Sequence, residues 1–267
     1  MKNEERKELV VIGNGMAGVA TVEEILKLNP DRYNISIFGK EALPNYNRVL
    51  LGDLLTEEKS VEEITLNSLK WYEENRIALF AGCPAVEIDR HRRKVISKDK
   101  KEVGYDTLIL ALGSKPILPK IPGMEKDGVL SFREIGDCVE IRERSKKAKK
   151  AAVIGGGLLG LETARALKTL GMDVSVVHLM DRLMERQLDT IAATYLAEDL
   201  EAQGIKILLE KETIEITGNG KVEGLKFKDG EGIEADMVVM VIGITPNKEL
   251  AETSGIYCER GIVVSDT

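Results

Sequence analysis

LVVIGNGMAG, Leu9 to Gly18, sets four apolar residues ahead of the spacing G-x-G-x-x-G at Gly13, Gly15 and Gly18. The residues that follow, VATVEEILKL, carry Val19, Val22, Ile25 and Leu26 at helical spacing. The segment reads as buried strand, tight turn and helix. Gly13 permits the turn, Gly15 lets a pyrophosphate approach the backbone, and Gly18 lets helix and strand pack closely. Met16 and Ala17 open the helix, whose free N–H groups and positive dipole end suit phosphates. Glycines also end strands for structural reasons alone, so the strand before and the helix after carry the dinucleotide reading.

The pattern returns in AAVIGGGLLGLETARALKTLG, Ala151 to Gly171. Gly155, Gly157 and Gly160 take the three positions, Gly156 is extra, Leu158 and Leu159 open the helix and Gly171 ends it. Asp106 and Gly113 stand seven residues apart, as do Asp236 and Gly243, and each pair closes a unit opened by a glycine turn. Each unit is predicted to run strand, helix, strand, helix, strand, antiparallel hairpin, strand. The repeat predicts an α/β protein: two Rossmann-like dinucleotide-binding lobes with parallel sheets and antiparallel hairpin excursions. Two dinucleotides held face to face is the expected use. Ligands able to react with each other there are FAD and NAD(P)H, through hydride transfer from nicotinamide to flavin. That chemistry needs no general acid or base, so no side chain is assigned a catalytic role.

In the first unit, strands are predicted at Ile35–Phe38, Ile77–Phe80 and Thr107–Ala111, with a helix at Leu69–Asn75. Val86–Asp89, Val95–Ser97 and Glu102–Tyr105 form its antiparallel excursion. In the second unit, strands are predicted at Val174–Val177, Ile205–Leu208 and Met237–Ile242, and helices at Ile135–Lys150 and Leu188–Gln203. Ile214–Thr217 and Val222–Phe227 flank a turn at Gly218-Asn219-Gly220. KPILPKIPG, Lys115 to Gly123, holds Pro116, Pro119 and Pro122 and reads as an extended crossing between lobes. The basic run RERSKKAKK reads as a solvated face rather than a phosphate site.

A chain of 267 residues, 43% hydrophobic, suits two α/β lobes of ordinary size. Its apolar runs fall far short of the roughly 20 residues of a membrane span. The charged start, MKNEERKE, has no apolar signal core behind it. A net charge of −7 argues against nucleic acid and anionic membranes as partners. Cys83, Cys138 and Cys258 are far apart, which excludes a dithiol centre or structural zinc site and suits a reduced cytoplasmic protein. His91 and His178 are too few for most metal sites.

With the two glycine turns, YDTLILALGS, ADMVVMVIGITPN and PNYNRVLL resemble the pyridine nucleotide–disulfide oxidoreductase superfamily of two-dinucleotide flavoproteins. Within it, NYNRVLL, GGGLLGLE and LMERQLD are most similar to the N-terminal reductase region of assimilatory NAD(P)H nitrite reductase large subunits. Rubredoxin and ferredoxin reductases come next. The resemblance implies that Gly13, Gly15 and Gly18 hold the FAD pyrophosphate, Glu41 the adenosine end and Arg48 the flavin or its phosphates. Ala85 matches a backbone contact to adenine. Ala111, Leu112 and Gly113 match the return motif, with Leu112 in place of Thr, and Arg133 matches an arginine near the flavin. Gly155 to Gly160 match the NAD(P)H turn, Glu162 the acid near the nicotinamide and Gly243 the closing motif.

The residues alone leave alternatives. Glu41 could be solvated, Ala85 simply a strand residue and Arg133 a capping residue or a partner of Glu134 or Asp137. Glu162 also suits a helix dipole. His178 could pack or face solvent rather than act on a ligand. The implied organisation is an FAD-binding lobe over residues 1–119, an inserted NAD(P)H-binding lobe over 120–245 and a return to the first lobe over 246–267. The implied activity is an NAD(P)H-oxidising FAD module that feeds iron–sulfur and sirohaem centres for nitrite reduction, on a C-terminal part or an iron–sulfur partner protein. A stand-alone rubredoxin or ferredoxin reductase and a non-catalytic nucleotide sensor or scaffold are the alternatives. Homodimerisation is left open.

Three departures from the family pattern stand out. Asp53 occupies the place of a Lys beside the flavin in ferredoxin-type reductases. His178 ends the second strand of the NAD lobe, where an NAD-preferring site has Glu or Asp, and Arg182 nearby could accept a 2′-phosphate. The nicotinamide cofactor is therefore not chosen. The chain also ends at Thr267, ahead of a segment resembling T-x-x-x-x-I-Y-A-x-G-D whose Asp holds the ribityl chain. It is expected to be a piece of a longer protein that holds flavin weakly by itself.

Overall fold

Leu9, Val10, Val11 and Ile12 are all buried, as a parallel strand covered on both faces requires. Their side chains alternate. Leu9 and Val11 join Val22, Ile35, Ile37, Tyr72 and Ile77 on one face. Val10 and Ile12 join Phe38, Cys83, Ile88 and Val95 on the other. The structure, a computed structural model, describes residues 6–265. The chain forms two compact units.

The first unit comprises residues 6–48, Val61–Lys115 and residues 245–265. Its parallel sheet has four strands in the order Ile77–Phe80, Tyr33–Phe38, Lys7–Ile12, Thr107–Leu110. Ile12 stands beside Phe38 on one side and Leu110 on the other, so these strands end level at the glycine turn. The helix Met16–Leu28 follows that turn. Ala85–Asp89, Lys94–Ser97 and Glu102–Gly104 form a three-stranded antiparallel sheet.

The second unit comprises Val49–Ser60 and Pro116–Ile244. Its parallel sheet repeats the order as Ile205–Leu208, Asp173–Val177, Lys150–Ile154, Met237–Met240, and adds Val129–Ser131 at the far edge. Ile154 is level with Val177 and Met240. Thr213–Thr217, Gly224–Phe227 and Gly232–Glu234 form the matching antiparallel sheet.

The sequence reading and the structure differ where short elements carry no period. Leu51–Leu55 is a helix with Leu51, Leu54 and Leu55 buried. It packs against the helices Ile135–Ser145 and Leu158–Thr169 of the second unit, and the Cys138 thiol donates to the Leu51 carbonyl at 3.6 Å. The helix predicted over Ile135–Lys150 stops at Ser145, because Lys150 is taken into the sheet opposite Asp173. The proline-rich crossing is not wholly irregular: Ser114–Pro116 pairs with Ile244–Pro246 as a two-stranded ribbon.

The two repeated aspartates share one job. Asp106 donates its N–H to the Glu8 carbonyl and accepts the Glu8 N–H on its carboxylate, both at 2.8 Å. Asp236 donates to the Lys150 carbonyl at 2.8 Å and accepts from Lys149 and Lys150 at 2.7 and 2.9 Å. Each clasp registers the last strand of its sheet against the first. The Lys150 and Lys149 N–H groups hold the Asp236 carboxyl below its ordinary pKa. A depressed carboxyl contributes stability above its unfolded pKa and loses it as pH falls through the folded one. Asp236→Ala is expected to cost about 1 kcal/mol at pH 7, the charged hydrogen bonds being discounted for exposure. Urea melts of both proteins should show the gap closing between pH 7 and pH 3; a gap that widens on acidification would refute this role.

Candidate functional site

In the first unit, Gly13 has φ +121°, and a Cβ there would lie 2.0 Å from the Ala111 carbonyl oxygen. A Cβ on Gly18 would lie 2.2 Å from the Gly13 carbonyl oxygen. These two glycines are demanded by the fold itself. Gly15 is different. Its φ is −88°, and a Cβ there meets nothing within 4 Å. The protein gives no reason for glycine at this position, whereas close approach of an external group does. The helix has no side-chain cap, and Met16, Ala17 and Gly18 open it with N–H groups that have no acceptor in their own helix. The arrangement fits a pyrophosphate.

Glu41, Tyr46 and Arg48 form one cluster. The Tyr46 hydroxyl donates to Glu41 Oε2 at 2.7 Å, Arg48 Nη2 donates to Glu41 Oε1 at 2.5 Å, and the guanidinium lies over the Tyr46 ring. Both oxygens of Glu41 are engaged, so it is not a merely solvated acid. Ala111 sits against Gly13. The carbonyls of Leu112 and Gly113 accept from the Asn247 side chain and backbone at 2.8 and 3.0 Å. Ala85 begins a strand with a register shift and packs against the Val10, Ile12 and Phe38 cluster beneath the turn.

A network missed at the sequence level underlies this turn. Asn14 donates to the Leu43 carbonyl at 3.2 Å and accepts from the Tyr72 hydroxyl at 2.8 Å. Asn45, buried, meets the same hydroxyl and also accepts the Asn67 N–H. Burial pushes the Tyr72 phenol up, so it stays protonated and donating. The doublet of asparagines around Tyr46 and the Asn between the glycines were the available signals.

The second unit repeats the glycine geometry. Cβ atoms on Gly155 and Gly160 would fall 2.5 Å from the Val241 oxygen and 1.9 Å from the Gly155 oxygen. Gly157, with φ −85°, meets nothing within 4 Å and again leaves its helix without a side-chain cap. The helix Thr190–Ala202 of the same unit is capped by the Asp189 carboxylate. A cavity of about 820 Å³ opens over the turn. Gly155, Gly156, Gly157, Leu158 and Leu159 line it, with His178, Arg133 and Gly243. Gly160 does not; it is the packing glycine of the turn.

Four expectations are revised or sharpened here. Arg133 lines this cavity of the second unit, and its backbone N–H donates to Asp137 at 2.6 Å. The capping pair is Glu134 with Asp137. Glu162 is exposed, does not line the cavity, and sits near Asp53 on the helix Leu51–Leu55. Partial burial first, and the Asp53 charge second, raise its carboxyl pKa. Arg182 spends its donors on Asp181 and on the Leu188 and Glu185 carbonyls and does not line the cavity; Arg186 does. His178 lines the cavity while its ring nitrogen accepts the Gly156 N–H.

The three cysteines are free, and burial pushes the Cys138 thiol up to about 12. Among the described residues there is no cluster fit to hold a metal ion and no helix long and apolar enough to cross a membrane.

The chain matches the family described as pyridine nucleotide-disulphide oxidoreductase over residues 7–267. It is 53% identical over 261 residues to the nitrite reductase [NAD(P)H] of Bacillus subtilis, covering 98% of this chain and 32% of that protein. It is 48% identical to the assimilatory nitrate reductase electron transfer subunit of the same organism, covering 98% of this chain and 34% of that one. The chain thus spans about a third of the length of these relatives. Its fold is similar to that of the ferredoxin reductase for the CYP199A2 system of Rhodopseudomonas palustris, at a TM-score of 0.91 and 26% identity, over 97% of this chain and 64% of that one.

Proposed function

We propose a function from the premise that the chain belongs to the pyridine nucleotide-disulphide oxidoreductase family: it is an NAD(P)H-dependent FAD oxidoreductase module that delivers electrons toward nitrite reduction. The observation that carries this is the pair of uncapped helices whose central glycines, Gly15 and Gly157, stand open while their neighbours are walled in. The bound pair supplies hydride transfer from nicotinamide to flavin and stepwise release of electrons. The chain supplies position and electrostatics. FAD belongs to the first unit, with its pyrophosphate on Gly15 and the N–H groups of Met16, Ala17 and Gly18. The Glu41–Tyr46–Arg48 cluster takes the adenosine side or the phosphates. NAD(P)H belongs to the second unit, on Gly157, Leu158 and Leu159.

The domain roles proposed are residues 1–119 for FAD, 120–245 for NAD(P)H and 246–267 for the return, with Val49–Ser60 and residues 116–119 packing in the second unit. Likeness to a nitrite reductase and to an electron transfer subunit supports an acceptor that is a redox centre elsewhere in a longer protein or on a partner.

The test is anaerobic titration of the FAD-reconstituted chain with NADH and with NADPH, followed at 450 nm. Bleaching complete near one equivalent of either coenzyme is expected. Binding of flavin without bleaching by either coenzyme would support the non-catalytic alternative instead.

A further inference from the structure

His178 directly follows the strand Asp173–Val177, beside the second glycine turn. The Gly156 N–H donates to His178 Nδ1 at 3.0 Å. A peptide N–H can only donate, so Nδ1 carries no proton. Nε2 lies 3.1 Å from Glu185 Oε2, so the ring proton sits on Nε2 and is donated to that carboxylate. The side chain is 11% exposed. A Cβ on Gly156 would lie 2.7 Å from His178 Cγ, so the extra glycine of the GGG run lets the ring close on the backbone. Both nitrogens are used, and neither is left for a ribose hydroxyl.

We propose that His178 is the positioning residue of this turn, holding it in its dinucleotide-binding form only while the imidazole is neutral, so that affinity for the nicotinamide coenzyme falls when His178 takes up a proton. This rests on reading the second unit as the NAD(P)H lobe. Protonation places an N–H at Nδ1 against the N–H of Gly156. Two donors cannot share that contact, so the ring or the turn must move, and the turn bears Gly157 and the helix start.

The charged groups around the ring are few. Glu185 accepts from Nε2, and Arg186 Nε stands 3.8 Å from the other Glu185 oxygen. Arg182 is bound to Asp181 and to the Glu185 carbonyl. Lys211 donates its backbone N–H to the His178 carbonyl, while its ammonium is held by Asp229 and Glu231. A simple charge effect would act in the opposite sense, since an imidazolium attracts a pyrophosphate. The two mechanisms therefore differ in sign.

NADH is the probe, because it carries no titrating 2′-phosphate. Its dissociation constant, from coenzyme fluorescence, is expected to rise at least tenfold between pH 8.5 and pH 5.5 with the far-ultraviolet circular dichroism unchanged. His178→Asn keeps an acceptor for the Gly156 N–H and should bind NADH within a few-fold of the parent at pH 8.5, with no pH dependence. His178→Leu keeps the bulk without the acceptor and should bind weakly throughout. The chain has two histidines, and His91 is exposed, so nitrogen-15 NMR can read His178 with His91 as reference. The neutral Nε2–H form is expected at pH 8 before any ligand is added. Affinity that is flat or rises on acidification, or a proton found on Nδ1, overturns the proposal. No NADH binding at any pH, with the expected tautomer present, overturns instead the assignment of NAD(P)H to this unit.

Discussion

Gly157→Glu is expected to lower NADH affinity at least about a hundredfold while FAD binding and thermal stability stay at parental values. A Cβ at this position meets nothing within 4 Å, so the new side chain has room and the fold has no reason to fail. Its carboxylate, however, stands at the uncapped start of the helix Leu158–Thr169, the place proposed for the pyrophosphate. Two like charges about 4 Å apart at an effective dielectric near 20 repel by about 4 kcal/mol, and roughly 1.4 kcal/mol is a factor of ten in affinity. Calorimetric titration of NADH and FAD into parent and variant measures both sides. Unchanged NADH affinity would mean that the second glycine turn serves packing alone.

Gly160→Ala, three residues on, should do the reverse and break the unit rather than the site. Its Cβ would lie 1.9 Å from the Gly155 oxygen and 2.9 Å from the Gly155 carbonyl carbon, both backbone atoms. The helix must lift off the turn. Overpacking of this kind costs about 3 kcal/mol, which for a unit of this size lowers the melting temperature by about 10 °C. Gly157→Ala is the control. With φ −85° and open space, it should melt at or slightly above the parent temperature, since alanine restricts the unfolded chain. Equal melting temperatures for the two alanine variants would show that the turn is looser than its distances say.

The division between those glycines marks how much the sequence could tell. The G-x-G-x-x-G spacing disclosed two strand–turn–helix units because a buried strand and an amphipathic helix each leave a period in the chain. The repeat foretold two parallel sheets with antiparallel excursions, and the Asp106 and Asp236 clasps explain why that repeat is so regular. The helix Leu51–Leu55 was not legible: five residues show too little period, and nothing local tells that its leucines pack in the second unit. The strand Val129–Ser131, three residues between turns, was hidden for the same reason.

Side-chain direction was the other blind spot. Glu41 and Arg48 were legible as neighbours in sequence but not as an ion pair joined by Tyr46. Arg182 and Arg186 lie on one loop with the same charge; which of them reaches the cavity is decided by the Leu188 and Glu185 carbonyls that occupy Arg182. His178 was noticed for the acid it replaces, whereas its partner is a backbone N–H that no sequence pattern displays.

The interleaving of the two units bears on how the chain is born. Residues 245–265 complete the first unit, with Ala251 fully buried and Leu250 packed on the Val10, Ile12 and Phe38 cluster. On the ribosome that cluster is made early but must wait for the whole of Pro116–Ile244 to be translated before its cover arrives. At the usual pace of synthesis the wait is on the order of ten seconds, long compared with collapse and helix formation. The second unit, whose early segment Val49–Ser60 is already in hand, can close during that interval. The part of that cluster covered by Leu250 thus waits for its last neighbour, and the unit that begins first is sealed last.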